Sequence, residues 1–176
     1  MLATVRNRLV TVLSLTLPCM AFATSALPVT DERVAVVGNL YRAFAWQALA
    51  SPDDVFGKSL VEQDSSVLHR YFDRELALLL INDQRCIERT GELCNLDFDP
   101  IFASQDPAAA DLLIRSITNN MVAVEFTYPS NGEKVRLEYR LTRSENGWRI
   151  SDIRYPGKSQ ATLKQLLARK LPTDRK

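Results

Sequence analysis

Hydrophobic and polar positions alternate with a period of two from Met121 to Tyr155, the signature of strands that bury one face. Val122, Val124, Phe126 and Tyr128 interleave with Ala123, Glu125 and Thr127. Val135, Leu137, Tyr139 and Leu141 interleave with Arg136, Glu138 and Arg140. Asn131-Gly132 and Asn146-Gly147 punctuate the run and divide it into three antiparallel strands joined by two hairpins. A two-residue turn at Asn131-Gly132 pairs Tyr128 with Val135, Phe126 with Leu137, Val124 with Tyr139 and Val122 with Leu141. A slip of one residue would turn all of these side chains onto the charged face, so the pattern specifies which face is buried. At the second hairpin, a two-residue turn at Asn146-Gly147 sets Leu141 against Asp152 and Tyr139 against Arg154. A three-residue loop, Glu145-Asn146-Gly147, instead pairs Leu137 with Tyr155 and Tyr139 with Ile153, and is preferred. It puts Gly147 in the left-handed conformation that glycine adopts without steric cost. This loop sends Trp148 and Ile150 to the charged face, beside Arg136, Glu138 and Arg140. A bulge near Ser151-Asp152 is the alternative, because it switches the phase of the strand.

Upstream the period changes to that of helices. Thr30 is a candidate N-cap, with Asp31 and Glu32 in the first turn and Val34, Val37, Tyr41, Phe44 and Ala48 as the apolar stripe. Ser51-Pro52-Asp53-Asp54 ends that helix. Ser65 or Ser66 caps a second one, with Leu68, Phe72, Leu76, Leu79 and Leu80 as its stripe, running to about Asn82. Leu112 to Thr118 reads as a fourth strand. A last helix from Ser159 carries Leu163, Leu166 and Leu167. A sheet with one apolar face needs helices to cover it. The predicted fold is therefore α+β: a curved four-stranded antiparallel sheet packed against two long helices before it and one after.

The chain has 176 residues. Its start changes the picture of where it works. Arg6 and Arg8 precede the apolar run Leu9 to Leu17, and Ala21-Phe22-Ala23 has the form of a cleavage site, so residues 1–23 read as a signal peptide, with Ala26 as a second cleavage position. The run is shorter than the roughly 20 residues of a membrane span. Cys19 raises a lipid anchor, but Pro18 fits poorly before a lipidated cysteine, and soluble export to the periplasm or medium is preferred. Cleavage leaves 20 basic and 21 acidic residues, a net charge of −1. That balance gives no basic face for nucleic acid, and no membrane association is expected after cleavage. Residues 30–170 are one domain, and 171–176 a tail. Cys86 and Cys94 are the two cysteines left in an oxidising compartment, which predicts a disulfide worth about 2.5 kcal/mol by loop closure.

Candidate chemistry is sparse. The chain has one histidine. His69 stands one turn before Asp73 and could be a base with its orienting acid, but an ordinary i,i+4 pair explains the spacing as well. Leu96-Asp97-Phe98-Asp99-Pro100 is the most distinctive run: Asp97 and Asp99 could share a cation or an acid-base task. The competing reading makes Asp99 the cap of a helix beginning at Pro100, a device that Asp106-Pro107 repeats before Ala108-Ala109-Ala110. Trp148 with Ile150 is an interface candidate, an apolar pair among arginines; the competing reading folds the C-terminal helix or the Cys86–Cys94 loop over the pair as a second small core. No cofactor and no metal is expected, since metal-ligand clusters and phosphate-binding loops are missing from the sequence.

Two motifs carry a family resemblance: Leu96-Asp97-Phe98-Asp99-Pro100 with Ser104-Gln105-Asp106, and Gly147-Trp148-Arg149-Ile150-Ser151-Asp152-Ile153-Arg154-Tyr155. Over about Leu40 to Leu167 the chain resembles the bacterial exported proteins of domain-of-unknown-function family 3828. The resemblance implies a cystatin-like or nuclear-transport-factor-2-like fold, with no activity or catalytic residues to transfer. The leading expectation is a binding protein without catalytic activity. Its partner would be another protein, a toxin or an envelope component, which it blocks as an immunity-type or inhibitor-type partner, or a second copy in a homodimer. The alternative is a small-molecule carrier or enzyme in the cone between helices and sheet, using Asp97, Asp99 or Asp152 with Tyr139 or Tyr155.

Overall fold

Four strands in chain order build one antiparallel sheet: β1 (Ala110–Thr118), β2 (Met121–Thr127), β3 (Lys134–Ser144) and β4 (Gly147–Arg154), ordered β1-β2-β3-β4. The structure is a computed structural model and describes residues 31–49 and 55–169. The signal peptide, Thr30, the Ser51-Pro52-Asp53-Asp54 stop and the tail lie outside the described residues. Helices α1 (Glu32–Phe44), α2 (Ser65–Tyr71), α3 (Arg74–Thr90) and α4 (Leu163–Leu167) pack on the sheet, with short 3-10 turns at Ala45–Ala48 and Leu60–Glu62. The fold is thus α+β, a four-stranded antiparallel sheet covered by helices, as the periodicity predicts. Among the described residues no helix is long and apolar enough to cross a membrane.

The first hairpin buries the expected face in a different register. Phe126 pairs with Val135, Val124 with Leu137 and Val122 with Tyr139, two residues away from the expected partners. The turn is longer than Asn131-Gly132 alone. The Tyr128 N–H donates to Glu133 O (2.9 Å), and Tyr128 O accepts from Asn131 (3.4 Å) and Gly132 (2.9 Å). Pro129 is thereby the second residue of a turn, where its fixed φ fits. A two-residue shift preserves alternation, so the apolar pattern alone could not exclude it.

The second hairpin forms neither loop considered from the sequence, but it has the bulge that was the alternative. Ser144 pairs with Gly147 across Glu145-Asn146, so the loop has two residues and the three-residue loop does not form. Gly147, at φ +95, opens β4 in a conformation that other residues rarely adopt. Leu141 then faces Ile150, Ser151 is the extra residue of a bulge, and Tyr139 faces Ile153 as expected. The bulge turns both Ile150 and Ile153 into the core, each fully buried. Ile150 therefore does not lie on the charged face. Trp148, two residues before it, also packs against the core cluster, half-buried, with the Arg33 and Arg143 guanidinium carbons each 5.9 Å from its ring centre.

The outer face carries charges instead. Arg115, Glu125, Arg136, Glu138 and Arg154 form a continuous ladder of ion pairs across all four strands, with contacts from 2.5 to 3.4 Å. Ala123, in register between Arg115 and Glu138, is fully buried.

The long second helix is interrupted. Phe72 is extended and bridges Ile150, and the Asp73 N–H donates to Ile150 O at 2.8 Å. Asp73 then caps α3 by accepting from the Leu76 N–H at 2.8 Å. This break sets one bridge on the outer edge of β4. Helix α3 also continues beyond Asn82 to Thr90, which places Cys86 in its last turns and within reach of Cys94, and the two form the expected disulfide. Buried Asp83 accepts from the Asn95 N–H (2.8 Å), and the Asn95 side chain donates to Leu167 O (3.2 Å), tying the disulfide loop to α4. At the start of the fold Asp31 caps α1 through the Arg33 N–H.

Candidate functional site

The Leu96-Asp97-Phe98-Asp99-Pro100 run leads into a turn that fills the space between helices and sheet. Asp99 Oδ1 accepts the N–H of Ile101 (2.9 Å) and Phe102 (3.2 Å), so the aspartate caps, as one reading expects, but it caps a single turn and no helix follows. Asp106-Pro107 likewise leads into β1 and not into a helix. Ile101 and Phe102 are fully buried. The carbonyls of this turn would be costly to bury unpaired. Tyr155 from the end of β4 donates to Pro100 O at 3.2 Å. Tyr41 from α1 donates to Ile101 O at 2.6 Å and accepts from Tyr139 at 2.8 Å. Tyr128 Oη lies 2.7 Å from Phe102 O and 3.1 Å from Ala103 O. Among the described residues no buried side-chain nitrogen or oxygen lacks a partner.

This arrangement decides what the sequence candidates can do. Tyr139 and Tyr155 are almost completely buried, and loss of solvation raises both hydroxyls well above the ordinary tyrosine range, so they remain neutral donors. Asp152 Oδ1 accepts from the Ile153 N–H (2.9 Å) and the Lys164 N–H (3.0 Å), joining β4 to the first turn of α4. Asp73 divides its carboxylate between the Leu76 N–H and Lys164, away from a base role with His69. Asp99 is pushed up to about 6 by burial, against the pull of Ile101, Phe102 and the Gln47 amide that donates to its other oxygen. Asp97 is exposed and takes only a 3.5 Å contact from Gln105. Trp148 stands apart from all of these, beside α1. Among the described residues no group of three or more histidine, cysteine or acidic side chains could hold a metal ion.

Beside the filled cone lies an open groove of about 480 Å³ between the 3-10 turns and the 93–107 stretch. Trp46, Leu49, Leu93 and Phe98 line it with apolar surface, and Asp97 and Asp99 stand together on its border. Leu49 is 57% exposed and Leu93 70% exposed, while Phe56 stacks on Trp46 at 5.6 Å. Gln47 joins the groove to the turn: its amide donates to Asp99, and its carbonyl oxygen accepts the Leu60 N–H. Of the residues that line this groove, Asp97 and Asp99 are among the sequence candidates, whereas Gln47, Leu49 and Leu93 are not. The available signal was apolar residues outside the helical stripes, with Leu93 inside the disulfide loop.

No family model, curated protein or solved structure matches the chain. The geometry alone therefore has to carry the functional reading.

Proposed function

We propose that this is an exported, non-catalytic binding protein that takes a segment of another polypeptide into the groove beside Asp97. The observation that carries the reading is the contrast between the two spaces. The cone is occupied by the 99–104 turn under its tyrosine hydroxyls, whereas the groove is open and presents large apolar side chains to solvent. Exposed apolar surface gathered in one concave place is the composition of an interaction site. A carrier or enzyme working inside the cone would need the room that Ile101 and Phe102 occupy. The Cys86–Cys94 disulfide is consistent with an oxidising compartment, which with the signal peptide supports the periplasm as the place of action. An immunity-type or inhibitor-type role, and the likeness to domain-of-unknown-function family 3828, belong to this proposal.

Photo-crosslinking in cells that export the protein tests it. A photoreactive residue at Leu93 is expected to give a discrete adduct with another polypeptide, and one at Leu78, exposed on α3 away from the groove, to give none. Equal adducts from both positions, none from Leu93, or an adduct from Leu93 only to the chain's own residues 170–176 would overturn the reading.

A further inference from the structure

The groove has a charge as well as a shape. Its border includes Asp97, Asp99 and Glu62, and among the described residues no lysine or arginine lines it. Glu62 is held by the Ser59 N–H (2.9 Å) and hydroxyl (2.7 Å), and Asp99 by the Ile101, Phe102 and Gln47 donors, none of which is a cation. Neither has a counter-charge among the described residues that line the groove. Asp97 is the carboxylate that a bound group could touch, because it is exposed and holds only the long Gln105 contact. Trp46 and Phe98 add aromatic faces, which attract cations and apolar groups alike. An anionic segment would meet repulsion from three carboxylates there; a purely apolar one would leave their field unused.

Resting on the reading of the groove as the partner-binding surface, we infer that its occupant is an apolar polypeptide segment bearing a lysine or arginine. The cation sits at Asp97, and its apolar neighbours lie against Leu49, Leu93 and Phe98. Charge selects the segment and apolar contact holds it, the usual division at interfaces.

Three labelled nonapeptides test this with the full chain by fluorescence polarisation. Each has leucine and phenylalanine flanks, with lysine, norleucine or glutamate at the centre. The lysine peptide is expected to bind about tenfold tighter than the glutamate peptide at low salt, a difference of about 1.4 kcal/mol, and the gap should shrink in high salt. Asp97→Lys should reverse the order. Leu93→Ser should weaken all three peptides alike. Both sites are exposed, so unchanged melting temperatures confirm that the variants fold. Equal binding of lysine and glutamate peptides, with Leu93→Ser still weakening both, would overturn the charge inference and leave the groove reading intact. No binding by any peptide, or binding indifferent to Leu93→Ser, would overturn the inference as well. The crosslink from Leu93 decides separately whether the groove is a partner site at all.

Discussion

The turn at residues 99–104 shows how individual side chains close a structure. Four consecutive carbonyls, from Pro100 to Ala103, are met by the hydroxyls of Tyr155, Tyr41 and Tyr128, and two N–H groups are met by Asp99. Tyr41 stands at the centre of this scheme, because it donates to Ile101 O and accepts from Tyr139. Tyr41→Phe leaves a buried carbonyl and a buried hydroxyl without partners and is expected to cost about 2–3 kcal/mol. Tyr139→Phe removes only a donor and should cost about 1 kcal/mol. Urea denaturation of the two variants checks the order, and equal losses would contradict it. Asp99 adds a pH dependence. Its folded pKa of about 6 lies above the ordinary value of 3.8, so the folded state binds the extra proton. Its stabilising contribution is complete below about pH 4 and is lost as pH rises through 6, by at most about 3 kcal/mol. Asp99→Asn should remove that fall. The difference between wild-type and variant unfolding curves across pH 4–7 isolates it from carboxylates such as Asp31, Glu125 and Glu133, whose pKa values are lowered by arginine or lysine partners.

At the scale of elements, the hairpins and the helix break show what a local pattern specifies. Alternation of apolar residues determined which face of β2 and β3 is buried, because a one-residue error would expose all of it. It did not determine the pairing, since a two-residue shift satisfies the same alternation and only the Pro129 turn distinguishes them. The break at Phe72-Asp73 was hidden for a similar reason: Leu68, Phe72 and Leu76 keep helical spacing through an extended residue. What breaks the helix is tertiary, the bridge from Phe72 to Ile150. The bulge at Ser151 was visible as an alternative because a phase error in β4 had to be absorbed somewhere. Gly147→Ala tests the two-residue loop: at φ +95 the added methyl group should cost about 1–2 kcal/mol. A loss near zero in thermal unfolding would mean that the loop can rearrange around it. Trp148→Ala, which removes half-buried surface against the core, should lower stability by about 2 kcal/mol. An unchanged melting temperature would return Trp148 to consideration as a purely external contact.

For the whole molecule, the layer arrangement and the disulfide were legible because they follow from periodicity and compartment. The closing of the cone was not. Asp97, Asp99, Tyr139 and Tyr155 were each conspicuous in the sequence, but nothing in their spacing shows that hydroxyls from α1 and the ends of β2 and β4 meet one turn, with Tyr139 of β3 behind Tyr41. The conspicuous residues divide between two places: Tyr139 and Tyr155 hold the interior, while Asp97 reaches the groove and Asp99 connects both. The Cys86–Cys94 bridge closes the loop that carries Leu93 and should contribute about 2.5 kcal/mol. Reduction should lower the melting temperature measurably, and thiol labelling of the exported, leader-free chain without reductant should find neither cysteine free.

The claim on which the functional reading rests is that the 99–104 turn fills the cone. Amide hydrogen exchange measures this directly, because Ile101, Phe102 and Ala103 can exchange only when the turn leaves its site. The account expects their amides to be protected nearly as strongly as those of β2 and β3, exchanging only with global unfolding. Exchange of these three amides on the timescale of an exposed loop, with β2 and β3 still protected, would contradict it and reopen the cone as a binding space.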